Sequence, residues 1–179
     1  MFAFKEWTLI CAALARGEQS IILRKGGIAE GRAGFRFQHA DFVLFPTLFH
    51  EQVNKLRLPA STPLPAQRAD GQHEITLAAH VEWTADVTDL EKVCALEPHH
   101  LWTRAEIEKR FRQDDAPGVS IAFVRISALS APLVFPDSPK FGGCRSWIEV
   151  PELPAGTALA PVLDDATHVA REAAVRALL

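Results

Sequence analysis

The residues best suited to chemistry fall into two stretches of the chain. The first runs from Ser20 to Gln52, reading SIILRKGG, a loop, and then FRFQHADFVLFPTLFHEQ. Within it Arg24, Lys25, Arg32 and Arg36 are offset only by Glu30, and glycines 26, 27 and 31 punctuate the connection. Guanidinium forks hold phosphate or carboxylate through paired hydrogen bonds, and glycine lets backbone approach a ligand closely. The competing use of such a cluster is a solvated loop. Further on, His50 and Glu51 are adjacent on what reads as a helix starting at Thr47. Neighbours on a helix point about 100° apart, so they suit separate acid or base roles better than one shared metal. The second stretch, GGCRSW, sets Cys144 beside Arg145 and Ser146. A cation next to a thiol favours the thiolate, which makes Cys144 a candidate nucleophile and Arg145 a candidate anion contact; a packed, inert cysteine is the alternative.

Several chemistries are excluded by pattern. The chain has no phosphate-binding Walker loop, no dinucleotide-binding glycine motif, no serine-hydrolase elbow and no zinc-ligand array. Pro136-Asp137 lacks the following acidic-x-Lys element of a metal-dependent nuclease core. No metal or cofactor is expected. Three scattered cysteines, Cys11, Cys94 and Cys144, make neither a disulfide framework nor a metal knuckle and point to a reducing cytoplasm. With a net charge of −3 the chain has no global attraction to nucleic acid or to an anionic membrane, so any such binding needs a local patch. The apolar run Leu9 to Ala15 is too short to span a membrane and has no cleavage site, so a mature chain without processing is expected.

The elements that must position these residues follow from periodicity. Ala3, Trp7, Ile10, Cys11 and Leu14 recur at helical spacing, with Gly17 as a C′ glycine, which predicts one helix over residues 3–15. Strands are expected near residues 19–24 and 42–45, with Pro46 ending the second. Phe49, Val53 and Leu56 should face inward from the helix begun at Thr47. From Ile75 to Val87 apolar residues alternate with polar ones, the mark of a long half-buried strand. Asp89–Leu96 suggests a short helix, and Thr103 with Glu106 makes a capping box for the next, with Glu106–Arg110 and Glu108–Arg112 paired on its outer face. Residues 119–129 read as a central strand, 135–143 as a loop, 147–150 as a further strand and 151–161 as a linker. A last helix carries Ala166, Val169, Ala170, Ala173, Ala174, Ala177 and Leu178 as one stripe for the core or, alternatively, a protein partner.

Strands outnumber helices mid-chain without βαβ alternation. The expected fold is therefore α+β, a small curved mixed or antiparallel sheet or partly open barrel with flanking helices and a C-terminal helix. Residues 1–152 should form one domain, and 153–179 a linker plus the last helix.

The segments AFKEWTLICAAL, ILRKGGIAEGRAGFRF, FVLFPTLFHEQ, LEPHHLWT, GVSIAFVRI and FGGCRSWIEV resemble the bacterial family catalogued as domain of unknown function 1802. That family carries no established activity. The resemblance implies a nucleic-acid context, because some relatives are associated with restriction-type endonuclease domains. The opening, a helix to Gly17 and then a strand ending at Arg24, is also similar in architecture to pseudouridine-synthase-associated barrels (PUA-like), whose small relatives bind RNA or modified bases.

The expected function is a cytoplasmic module binding nucleic acid or a nucleotide-like anion, with Arg24, Lys25 and Arg36 on phosphate and His50 and Arg145 adding specificity. One rival is a hydrolase or nuclease using His50, Glu51 and Cys144 with Arg145. Another is an interaction module docking through its last helix.

Overall fold

The computed structural model describes residues 1–25, 35–65, 68–113 and 116–179. The segment expected as a single helix is split. Phe2–Trp7 is a strand (β1), and only Thr8–Ala15 is helical (α1). Sheet pairing overrides the local helical spacing here, because β1 lies between two partners. It runs parallel to Asp41–Thr47 (β3), from Ala3 opposite Val43 to Trp7 opposite Thr47, and antiparallel to Trp147–Glu149 (β6). Both faces of β1 are covered: Phe4 belongs to the main core, and Ala3 to a second core on the other side with Val43, Phe45, Ile148 and Phe135. Continuous burial explains the unbroken apolar run in β3.

The remaining strands are Ile21–Arg24 (β2), Gln72–Val87 (β4), Val119–Pro136 (β5) and Leu159–Pro161 (β7). They give the order β2-β5-β4-β3-β1-β6, with β7 on β5. The alternating segment is β4 as expected, bent by register shifts between Ile75 and Leu77 and between Val81 and Trp83. Three expectations are corrected. Strand β5 continues through Phe135 to Pro136, because its second half pairs with the start of β4. Residues 159–161, expected within a linker, form β7. Strand β3 runs past Pro46 to Thr47: its pairing with β4 extends from Asp41 to Val43, so the missing proline N–H breaks no bond to that neighbour.

The sheet curls until β2 approaches β1, yet among the described residues no ladder joins them, so this is an open barrel of mixed strands with five helices, an α+β fold. Phe4, Phe42 and Phe123 are almost wholly buried. At about 2–3 kcal/mol each they outweigh the exposed ion pairs, at roughly 0–1 kcal/mol apiece.

Helix α1 ends as expected. Gly17, at φ +67°, donates its N–H to Leu14 O and Glu18 donates to Ala13 O, the two bonds of a Schellman cap. The helix expected at Thr47 shrinks to one turn, Gln52–Lys55 (α2). Thr47 Oγ1 donates to Glu6 O and so ties β3 to β1 instead of capping, while buried Gln52 accepts from Leu9 N–H at the start of α1 and donates to Phe49 O. The short helix after Asp89 is Leu90–Ala95 (α3), capped by that aspartate. Thr103 caps Arg104–Phe111 (α4) as expected. The last helix, Asp165–Arg176 (α5), docks through a different face from the one expected. His168 and Val175 are buried, Trp83 Nε1 donates to Glu172, and Arg171 donates to Gly17 O, while the alanine stripe with Val169 faces outward. Anchoring by these larger side chains, which reach β4 and the end of α1, leaves the small ones outside. Among the described residues no helix is long and apolar enough to cross a membrane.

Candidate nucleic-acid interface

The site is built where the barrel stays open. Arg24, the last residue of β2, reaches across the gap to β1: Nη2 donates to Lys5 O, Nη1 is 3.6 Å from Glu6 Oε1, and the guanidinium lies over the Phe4 ring at 4.6 Å. Glu6 is 1% exposed, and Oε1 also accepts from Trp7 N–H at 2.7 Å. Arg24 Nε is buried without an acceptor among the described residues. Behind this pair, Arg110 stacks over Trp102 at 4.0 Å and Trp7 at 5.3 Å while bonding Glu106, which also receives Lys55. The Glu106–Arg110 pair expected on the outer face is therefore packed inward, because two indole rings give the guanidinium an apolar seat. Burial, then the nearby Arg24 charge, pulls the Arg110 pKa down from its ordinary value. Burial, reinforced by Glu6, pushes the Cys11 thiol well up, so that cysteine is packed and protonated.

In front of Arg24, aromatic rings converge on Phe4. Trp147 meets it edge-on at 4.9 Å, and Phe37, Phe42 and Phe35 lie at 5.7, 5.6 and 6.0 Å. At the rim His39 stacks on Phe2 at 3.6 Å and 12°, and its edge meets Trp147 at 4.9 Å. Phe2 is 40% exposed, His39 and Trp147 are partly exposed, and Trp147 Nε1 is buried without an acceptor among the described residues. Basic side chains flank these rings in the chain. Arg36 is exposed between Phe35 and Phe37, and Arg145 is exposed two residues before Trp147.

The loop 142–146 is held by Lys5, whose Nζ donates to Phe141 O and Gly143 O, each at 2.8 Å. Gly143 sits at φ +80°, where a side chain would strain the turn. Burial, then the Arg145 charge, lowers the Lys5 pKa. Cys144 is exposed in this loop.

The sequence-predicted residues are thus only partly assembled. Arg24 stacks on Phe4 within the aromatic cluster, while Arg36 and Arg145 are exposed and neighbour its rings in the chain. Lys25 follows Arg24 and donates to Ala116 O. Arg32 lies outside the described residues. His50 and Glu51 occupy an exposed turn before α2 rather than a helix, since Gln52 spends its side chain on α1. The turn at 50–51 follows β3 and the loop at 142–146 precedes β6, so the two leave opposite edges of β1. Lys5, Glu6 and Phe37 were not singled out; the alternation in FAFKEW was the available signal for the first two, whereas His39 stood with the arginines in the polar stretch between the two early strands. A separate open groove of about 400 Å³ is lined by Thr8, Arg68, His73, Glu74 and Asp137 among others, with His73 Nε2 2.7 Å from Asp137 Oδ1. Among the described residues no group of three or more His, Cys, Asp or Glu side chains is arranged to hold a metal ion.

Two solved structures resemble this backbone: ASCH from Zymomonas mobilis, at 10% identity and TM-score 0.43, and its S128A mutant, at 10% and 0.44. Each match covers 69% of this chain and 66% of that one, just under two thirds. No curated protein matches the chain. Residues 3–174 match the sequence model described as Domain of unknown function (DUF1802).

Proposed function

This chain belongs to the DUF1802 family, a domain of unknown function, and we propose that it binds single-stranded nucleic acid across the aromatic and basic rim of its open barrel. The observation that carries this reading is the Phe2–His39 stack against Trp147, bordered in the chain by the exposed Arg36 and Arg145. Exposed rings offer faces on which bases stack, and guanidinium groups beside them follow the phosphates. Arg24 serves from behind: its ion pair with Glu6 and its seat over Phe4 hold the platform, with Lys25 next to it. His50 stands at the far side of β1 as an outer contact on a longer strand.

The net charge of −3 predicts weak binding away from this rim. The test is fluorescence anisotropy of labelled single- and double-stranded DNA and RNA across a salt series. Single strands should bind saturably at physiological salt. Arg36→Ala and Arg145→Ala should each weaken binding and reduce the slope of log affinity against log salt by about 0.7. Unchanged affinity and slope in both variants would reject the placement.

A further inference from the structure

We infer that the groove beside the start of β4 is a second site with chemistry of its own: His73, oriented by Asp137, is a general base for hydrolysis of carboxylic esters that bear no negative charge. The groove stands apart from the aromatic rim, since Phe2 opens β1 whereas Thr8, one of the groove residues, follows its end. Its volume of about 400 Å³ is that of a small-molecule site.

Strand pairing brings the two groups together. His73 lies opposite Phe135 in the β4–β5 ladder, and just past the ladder Asp137 N–H donates to Gly71 O at 3.0 Å. The imidazole packs against Phe45, Phe135 and Phe141 at ring distances of 4.5, 5.7 and 5.5 Å, which restricts its orientation. Nε2 is 2.7 Å from Asp137 Oδ1, and that oxygen also accepts from Ser138 N–H at 2.7 Å. These two bonds hold the Asp137 pKa below its ordinary value, so the carboxylate is anionic and takes the ring proton on Nε2 as its partner. Nδ1 is then the nitrogen with the free lone pair. It has no partner among the described residues and is not buried, so water can reach it. His80 and Asp41 form a pair of the same 2.7 Å length, but that ring is half exposed and packs on no other ring among the described residues.

Charge narrows the substrate. Glu74 and Asp137 line the groove with Arg68, and Arg68 is already paired with Glu74 and Asp70. The lining is net negative, which disfavours phosphodiesters and anionic esters. Three of the five Arg68 N–H groups are spent on these carboxylates, leaving two for a carbonyl oxygen that gains charge. In the reaction His73 Nδ1 takes a proton from water as the water oxygen bonds to the ester carbonyl carbon. The imidazolium, held by Asp137, returns that proton to the alkoxide when the C–O bond breaks, so ester and water give acid and alcohol.

The experiment follows p-nitrophenyl acetate hydrolysis well beyond one equivalent of product per protein, which sets aside simple acylation of a lysine or cysteine, with folding of each variant checked by circular dichroism. Wild type should turn over saturably, and His73→Gln should lose about 100-fold or more. Asp137→Asn presents an amide N–H to Nε2 and moves the ring proton to Nδ1; it should lower kcat about tenfold or more with KM little changed. His80→Gln should match wild type. Absence of multiple turnover in wild type, an equal loss in His80→Gln, or an unchanged kcat in Asp137→Asn overturns the assignment. Bis(p-nitrophenyl) phosphate cleaved as fast as the ester overturns the substrate class. If His73→Gln fails to fold, Asp137→Asn against His80→Gln decides.

Discussion

His100 provides a quantitative check on the packing behind the site. It is 3% exposed, and its Nδ1 accepts from Trp102 N–H at 3.1 Å, which places the ring proton on Nε2, itself buried without an acceptor. Protonation would turn Nδ1 into a donor facing the Trp102 N–H, in a buried site close to Arg57. Burial, then the Arg57 charge, then His99, holds the His100 pKa down to about 3, against 6.5 for an ordinary histidine. The folded pKa lies below the unfolded one, so between these values the unfolded chain binds more protons and stability rises with pH. His100 therefore contributes fully above the ordinary value and loses its contribution progressively as pH falls from 6.5 towards 3. At pH 5 the loss is about 2 kcal/mol, one and a half pH intervals at ~1.36 kcal/mol each. Carboxylates and other histidines also titrate in this range, so the discriminating variant is His100→Asn, whose Oδ1 occupies the Nδ1 position and can still accept from Trp102 N–H. Urea unfolding at about pH 7.5 and pH 5 should show wild type losing roughly 2 kcal/mol more than His100→Asn between the two conditions. Equal losses would refute the assignment of a buried, neutral His100.

Two further perturbations test the scaffold. Gly17→Ala places a side chain at φ +67°, with its Cβ 2.6 Å from Leu163 Cδ2; chemical denaturation should show a loss of about 1–3 kcal/mol, and a neutral result would contradict the Schellman cap. Glu6→Ala leaves the Arg24 charge buried and unpaired, at a cost of about 3–5 kcal/mol, whereas adding Arg24→Met should recover part of that loss. Strict additivity of the two substitutions would show that the pair is not coupled.

The architecture was legible where a periodicity ran long enough to have one reading. The alternation from Ile75 to Val87 could only be a strand, and Thr103 announced a helix start by a side chain that does accept from the first-turn N–H of Glu106. It failed at Phe2–Trp7, where six residues fit either period and the decision came from pairing with β3 and β6, strands that lie about 40 and 145 residues along the chain. The same non-local pairing carried β3 through Pro46. In α5 the apolar pattern marked a stripe but could not weigh it against docking by His168, Arg171, Glu172 and Val175, whose partners come from the α1 end and from β4 and β5.

The site was legible in its residue types and illegible in its grouping. Arginines 24, 36 and 145 stood out because charged side chains between buried runs need an explanation. Nothing local indicated that Arg24 would spend its charge on Glu6, since that pair exists only because the sheet curls until β2 meets β1. The curl divides the basic residues by use: an arginine on the seam is neutralised and stacked, and those on the irregular segment and the 142–146 loop stay exposed. Sequence reading weighs all three alike, because formal charge does not depend on burial while the cost of leaving it unpaired does. The rings of Phe2, His39 and Trp147 carry no charge pattern at all; they become a unit only through ring geometry among three separate segments. An aromatic cluster of that kind is readable from a fold and not from spacing.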